Sequence, residues 1–234
     1  MKLKIIYEDE NTLVVEKPPF LVTFSKDKKE ESLSKILLKK FPYLKKLGEE
    51  RRCGIVHRLD KEASGIILVA KNKEYYDFFQ KQFKERKVGK KYLVLIKGKI
   101  IPKERTVEVY LARGIKDKRK QTVFSPTEPK AKGKKLKKAI LSYKVLKEFN
   151  NFSLVEVDMK TGRKHQIRAI FFWLGHPVAG DKLYKKRREN KENLAFPRLF
   201  LHSSLLMIKL PNGNLKEFRS PLPQDLQKIL EKLK

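Results

Sequence analysis

Asp60 sits in Arg58-Leu59-Asp60-Lys61, a carboxylate between two cations just ahead of the apolar run Gly65 to Ala70. A carboxylate can serve as a nucleophile or as a base, although an aspartate beside Arg and Lys is most often half of a surface ion pair worth about 0 to 1 kcal/mol. His57, three residues earlier, could move a proton. His165, His176 and His202 are spread too widely to propose a metal cluster and read as satisfied buried or loop histidines. Cys53 is the only cysteine, which removes intramolecular disulfides and CxxC metal sites and fits a reducing compartment. The chain has no G-x-x-x-x-G-K-[ST] phosphate loop and no G-x-G-x-x-G fingerprint. A hydrolase using Asp60 as nucleophile is weakly supported, since G-x-S-x-G is missing and no second acid follows at a recognisable spacing.

The elements that must hold these residues can be read from period and punctuation. KLKIIYEDENTLVVEKPPF predicts two strands around a tight EDEN connection, stopped at Pro18 and Pro19. A helix is predicted from Ser32 as N-cap to Phe41, ended by Pro42. The loop carrying HRLD then feeds the strand Gly65 to Ala70. Asn72 caps a second helix running to about Lys87, with Tyr75, Phe78, Phe79 and Phe83 as its core stripe. KKYLVLIKGKI, TVEVYLA, ILSYKVLKEF and FSLVEVDM read as strands. In TGRKHQIRAIFFWLGHP, Ile167, Ile170, Phe171 and Leu174 fall at i, i+3, i+4 and i+7, so a short buried helix starts near His165 and ends by Gly175. Arg163 then lies in the preceding turn, Arg168 in the first helical turn off the apolar face, and Trp173 packs. PQDLQKILEKLK predicts a C-terminal packing helix. No internal repeat or linker breaks the chain, so residues 1–234 read as one domain.

The composition narrows the partner. With 57 Lys+Arg against 27 Asp+Glu the net charge is +30, while 40% of the 234 residues are hydrophobic and 10% aromatic. This is a folded basic protein, not a basic tail, and its field suits a polyanion, because phosphates neutralised by Lys or Arg release counterions. No run of about 18 apolar residues, secretory h-region or lipidation motif points to a membrane, so a cytoplasmic location is expected. The charge favours a monomer. Cations concentrate between about 113 and 138, including Lys120, Lys134 and Lys135, in what reads as an exposed arm or hairpin. It is either a solvated lysine-rich loop or an RNA-facing arm.

HRLDKEASGIILVAK, KKYLVLIKG, TGRKHQIRAIFFWLGHPVAGDKLY and LHSSLLMIKLP, in this order behind a KP-containing strand pair, resemble the successive motifs of the RluA-type family of RNA pseudouridine synthases. The resemblance spans nearly the whole chain. It implies an α+β fold, with a mixed, mainly antiparallel sheet, flanking helices and a long basic cleft. The implied reaction isomerises uridine in rRNA or tRNA: the C1′ to N1 bond breaks, the uracil rotates, and C1′ joins C5. No metal, nucleotide or redox cofactor is implied.

Asp60 matches the family's catalytic aspartate. It could attack C1′ or C6, or remove the 2′ proton. A buried carboxylate would need a cation to stay ionised; Arg168 is the candidate, as a guanidinium forks onto a carboxylate, and Arg163 is the runner-up. Tyr92 matches the K-x-Y tyrosine, whose ring could stack on a flipped uracil and whose hydroxyl could help move the C5 proton; ordinary strand packing is the alternative. Arg58 resembles the arginine that enters the RNA helix as the base leaves. His57 carries a more architectural role at the RNA-binding loop, and Arg163 and Lys164 are candidate phosphate contacts. Phe20 stands where the family usually has glycine after KP-x, KEASG lacks the common threonine, and Lys185 replaces a frequent glycine. The S4-like N-terminal domain of many relatives is not expected, leaving RNA selection to this domain. A non-catalytic RNA-binding or RNA-folding protein is the rival reading, and predicts that Asp60→Ala changes little.

Overall fold

The computed structural model describes residues 3–27, 29–49, 52–115, 117–127, 135–185 and 196–234. In chain order its elements begin with β1 (Lys4–Glu8), β2 (Thr12–Lys17), α1 (Leu33–Lys40), β3 (Ser64–Ala70), α2 (Lys73–Glu85), β4 (Gly89–Lys97), β5 (Glu104–Arg113) and β6 (Gln121–Phe124). They continue with β7 (Lys137–Glu148), β8 (Phe152–Met159), α3 (Gln166–Trp173), β9 (Leu201–Lys209), β10 (Leu215–Arg219) and α4 (Gln224–Lys232). The chain packs as two compact units, residues 1–90 with 202–221 and residues 91–201 with 222–234.

In the first unit the EDEN connection is an Asx turn. Asp9 accepts from the backbone N–H groups of Asn11 at 2.9 Å and Thr12 at 2.6 Å, which turns the chain from β1 into β2. Strand β2 pairs antiparallel with β3 from Thr12 against Ala70 to Lys17 against Gly65. Every residue of β3 is buried, as its unbroken apolar run requires of a strand covered on both faces. Its other neighbour is β9, running parallel at Ser64 and His202, and β10 pairs antiparallel with β9. Gly65 has φ +119°, and a Cβ there would stand 2.3 Å from the Ser203 carbonyl oxygen, so the close approach of β3 and β9 demands glycine. Both helices start at their predicted caps: Ser32 accepts from the Lys35 N–H and Asn72 from the Tyr75 N–H. Helix α2 buries Tyr76 and Phe79 among Val14, Ile66, Leu68 and Leu206, with Tyr75, Phe78 and Phe83 packed against that cluster.

In the second unit β4, β8, β7, β5 and β6 lie side by side, all antiparallel. The parallel β3–β9 pairing among antiparallel ladders gives the mixed, mainly antiparallel α+β fold expected. Strand β6 forms a hairpin with β5, Tyr110 opposite Phe124 through Arg113 opposite Gln121. Asp117 holds its turn: the Arg119 guanidinium forks onto the carboxylate, whose pKa those hydrogen bonds bring down to about 2. Lys134 of the expected arm lies outside the described residues. Helix α4 seats Leu226 among Leu95, Phe149, Phe152 and Phe200. Beside it the buried Arg198 donates to Asp225 at 2.5 and 3.1 Å, which lowers that carboxyl's pKa.

Two sequence expectations for α3 are corrected. Trp173 does not pack, being 45% exposed, because the helix buries Ile167, Ala169, Ile170 and Phe171 and turns position 173 outward. Arg168, expected off the apolar face, is buried at 2% exposure, because a carboxylate from beyond the helix meets it there. Among the described residues no helix is long and apolar enough to cross a membrane.

Candidate active site

In the first unit, the HRLD loop is fastened on both sides of Asp60. Ahead of it, Ile55 bridges to Val69, and the Leu68 N–H donates to His57 Nε2 at 3.0 Å. The His57 ring stacks on Phe83 with centroids 4.7 Å apart. Burial, aided by the charge of Lys90, brings its pKa down to about 3. An imidazole that accepts through Nε2 is neutral with its proton on Nδ1, so His57 fixes the entry of the loop. The buried Thr23 hydroxyl then takes both backbone groups of Leu59, accepting from its N–H at 3.2 Å and donating to its carbonyl at 3.1 Å.

Beyond Asp60, the Ala63 N–H donates to the Asp60 carbonyl at 3.2 Å, closing a turn. Lys17, fully buried at the end of β2, donates from Nζ to the carbonyls of Pro18 and Leu21 at 2.8 Å and of Lys61 at 3.2 Å. This ammonium ties the Pro18–Leu21 loop to the residue after Asp60. Within the former loop, Phe20 has φ +65° and is 54% exposed, so this non-glycine residue holds a glycine-type backbone. Asp60 itself is half-buried, and Arg58 is exposed with its guanidinium 5.1 Å from the Phe24 ring centroid.

In the second unit, Arg168 donates from Nε to Asp181 Oδ2 at 2.7 Å and from Nη2 to Oδ1 at 2.9 Å. Asp181 Oδ1 also accepts from the N–H groups of Leu183 and Tyr184 at 2.8 and 2.9 Å. One fork edge of the guanidinium is therefore held by Asp181. Tyr184 stands beside the pair, its ring 5.4 Å from the Arg168 guanidinium carbon; its hydroxyl accepts from the Gln121 N–H at 2.6 Å and lies 3.3 Å from His165 Nδ1. It thus connects the start of β6, the turn before α3 and Arg168. Tyr92 is buried in β4 opposite Val157.

The basic candidates are dispersed by exposure. Arg163 is half-buried and donates from Nε to the Lys138 carbonyl at 3.1 Å, Lys164 and Lys135 are exposed, and Lys120 holds its ammonium 5.8 Å from the Tyr184 ring centroid. Sequence reasoning gave no role to Lys17, Thr23 or Asp181. Their only signals were a KP pair, an isolated threonine and a GD pair, each of which needs a distant partner to acquire meaning. Among the described residues no group of three or more His, Cys, Asp or Glu is placed to hold a metal.

A carboxylate on a rigid loop, a buried guanidinium and a strongly basic chain suit an enzyme acting on a nucleic acid. The family model described as RNA pseudouridylate synthase matches residues 11–172. An uncharacterized RNA pseudouridine synthase of Bacillus subtilis is 33% identical over 236 residues, covering 100% of this chain and 74% of the relative. A ribosomal large subunit pseudouridine synthase D of Borreliella burgdorferi is 32% identical, covering 95% of this chain and 66% of the relative. Among solved structures, human RNA pseudouridylate synthase domain containing 1 superposes with a TM-score of 0.76 at 26% identity, over 98% of this chain and 94% of that one. The chain belongs to the RNA pseudouridylate synthase family, of the RluA type, and is an isomerase converting uridine in RNA to pseudouridine.

Proposed function

We propose that this enzyme isomerises uridines of ribosomal RNA, in the cytoplasm and as a monomer, with Asp60 as the indispensable catalytic carboxylate. The supporting observation is that the loop bearing Asp60 is built, not merely exposed: a buried lysine and a buried hydroxyl hold its backbone, and the neutral His57 ties it to β3. A surface ion pair needs no such framework. Ribosomal RNA is preferred to tRNA because a relative covering most of this chain carries that name. Tyr92, for moving the C5 proton, and Arg168 are the further catalytic candidates. The proposal keeps Arg58, Arg163, Lys164, Lys120, Lys134 and Lys135 as contacts to the RNA.

Isomerisation frees the hydrogen on C5, so the test is tritium release to water from C5-labelled rRNA and tRNA transcripts. Wild type is expected to release from rRNA, and Asp60→Ala to bind RNA as before while releasing nothing. Release by both proteins would overturn the role of Asp60. Release from the tRNA pool alone would overturn the substrate.

A further inference from the structure

We propose that the second unit carries a subsite for a single-stranded stretch of RNA, in the hollow between the β5–β6 hairpin and the turn at residues 162–164. The inference rests on the enzyme having an RNA substrate and adds where and how one strand of it is held. The hollow is half open, with a volume of about 600 Å³, room enough for a nucleotide-sized group. Its rim carries Arg113, Lys135, Lys137, Arg163 and Lys164, and no carboxylate lines it among the described residues. Among the described residues, Asp117 is paired with Arg119 and Glu108 with Lys138. Five like charges around one concavity repel each other. Folding alone would disperse them, whereas the phosphates of a bound strand would neutralise them.

The rest of the lining separates a strand-binding hollow from a diffuse basic face. Leu111, Ala112 and Gly162 add uncharged surface to the lining. Gln121 is the one neutral hydrogen-bonding side chain in the lining, and its amide has the donor and acceptor pair that reads the edge of an unpaired base. A duplex keeps its base edges inside a groove. A single strand can offer phosphate to the rim and a base to Gln121 at the same time.

The hollow is fixed to the hairpin and to α3, which gives it a defined shape. The Gln121 N–H donates to Tyr184, and the backbone of Arg163 is held by Gln166 Oε1 at 3.1 Å. The walls therefore do not depend on the lysines that face the ligand.

The test measures binding without chemistry, so it stands apart from any failure of isomerisation. Fluorescence anisotropy would follow a labelled short single-stranded RNA, and a duplex of the same length, across a salt series. The proteins would be wild type, Lys135→Gln/Lys137→Gln and Gln121→Ala, with circular dichroism to confirm folding. The double variant is expected to bind the single strand about tenfold more weakly, its log–log salt slope shallower by about 1.4, or about 0.7 for each phosphate released. Gln121→Ala is expected to weaken single-strand binding several-fold with no change of slope, and to leave the duplex alone. Wild-type affinity and slope in the double variant would overturn the subsite. So would equal losses for single strand and duplex with Gln121→Ala silent, since that is how a diffuse basic face behaves.

Discussion

At the scale of single residues, the ring of His57 makes a prediction about pH. It is neutral in the fold with a pKa of about 3, against an ordinary value of 6.5. Between those values the unfolded chain binds a proton that the folded chain refuses, so stability rises with pH across this window and is lost as pH falls through it. The loss from this group approaches about 1.4 kcal/mol per pH unit below about pH 6. Urea unfolding at several pH values should show wild type weakening toward acid, and His57→Gln, which keeps a side-chain acceptor, losing less over the same range. Equal slopes in the two proteins would mean that the proton finds His57 without unfolding the loop. Asp60 was legible as a candidate because its neighbours form a motif. The partner of Arg168 was not, because Asp181 lies thirteen positions on and only the fold brings the pair together. Local spacing shows which face a side chain starts from, and cannot show that a distant carboxylate makes burial of a guanidinium tolerable.

At the scale of elements, legibility followed the strength of local signals. Ser32 and Asn72 announced α1 and α2 because a capping side chain belongs to its own helix. β6, β9 and β10 were not read as strands: β6 has four residues in a basic stretch, and the β9–β10 hairpin was missed although Pro211-Asn212-Gly213-Asn214 carries its turn signal. Lys17 shows how an element end can serve a site. As the last residue of β2 it would ordinarily reach solvent, yet its ammonium satisfies three carbonyls that face inward. Lys17→Met keeps the chain's bulk and leaves those carbonyls without their donor, which should cost about 3 kcal/mol in denaturant unfolding. Because one carbonyl belongs to Lys61, the folded variant should also release C5 tritium more slowly in a single turnover at saturating RNA. Lost stability with an unaltered single-turnover rate would confine Lys17 to holding the fold.

For the whole molecule, the surplus of thirty positive charges acts with opposite signs on stability and on binding. Free protein is strained by self-repulsion that salt screens, the Debye length falling from about 10 Å at 0.1 M to about 3 Å at 1 M. Bound RNA relieves the same repulsion by direct neutralisation, and salt competes with it, because the counterions released on binding must be taken back. Raising salt from about 0.05 M to about 0.3 M should therefore raise the melting temperature of the free enzyme while shrinking the further rise that RNA produces. Thermal melts at both salts, with and without an rRNA fragment and in the Asp60→Ala background to exclude turnover, separate the two terms. If stabilisation by RNA were independent of salt, the affinity would come from base and ring contacts, and the charge would have another purpose. If free enzyme melted at the same temperature in both salts, the surface ion pairs, such as Lys4 with Glu16 and Lys71 with Glu8, would already cancel the repulsion locally. The excess would then have to be gathered into a few patches. The hollow rimmed by Arg113, Lys137 and Arg163 is one such patch, and the salt response of binding would then fall mainly on its residues.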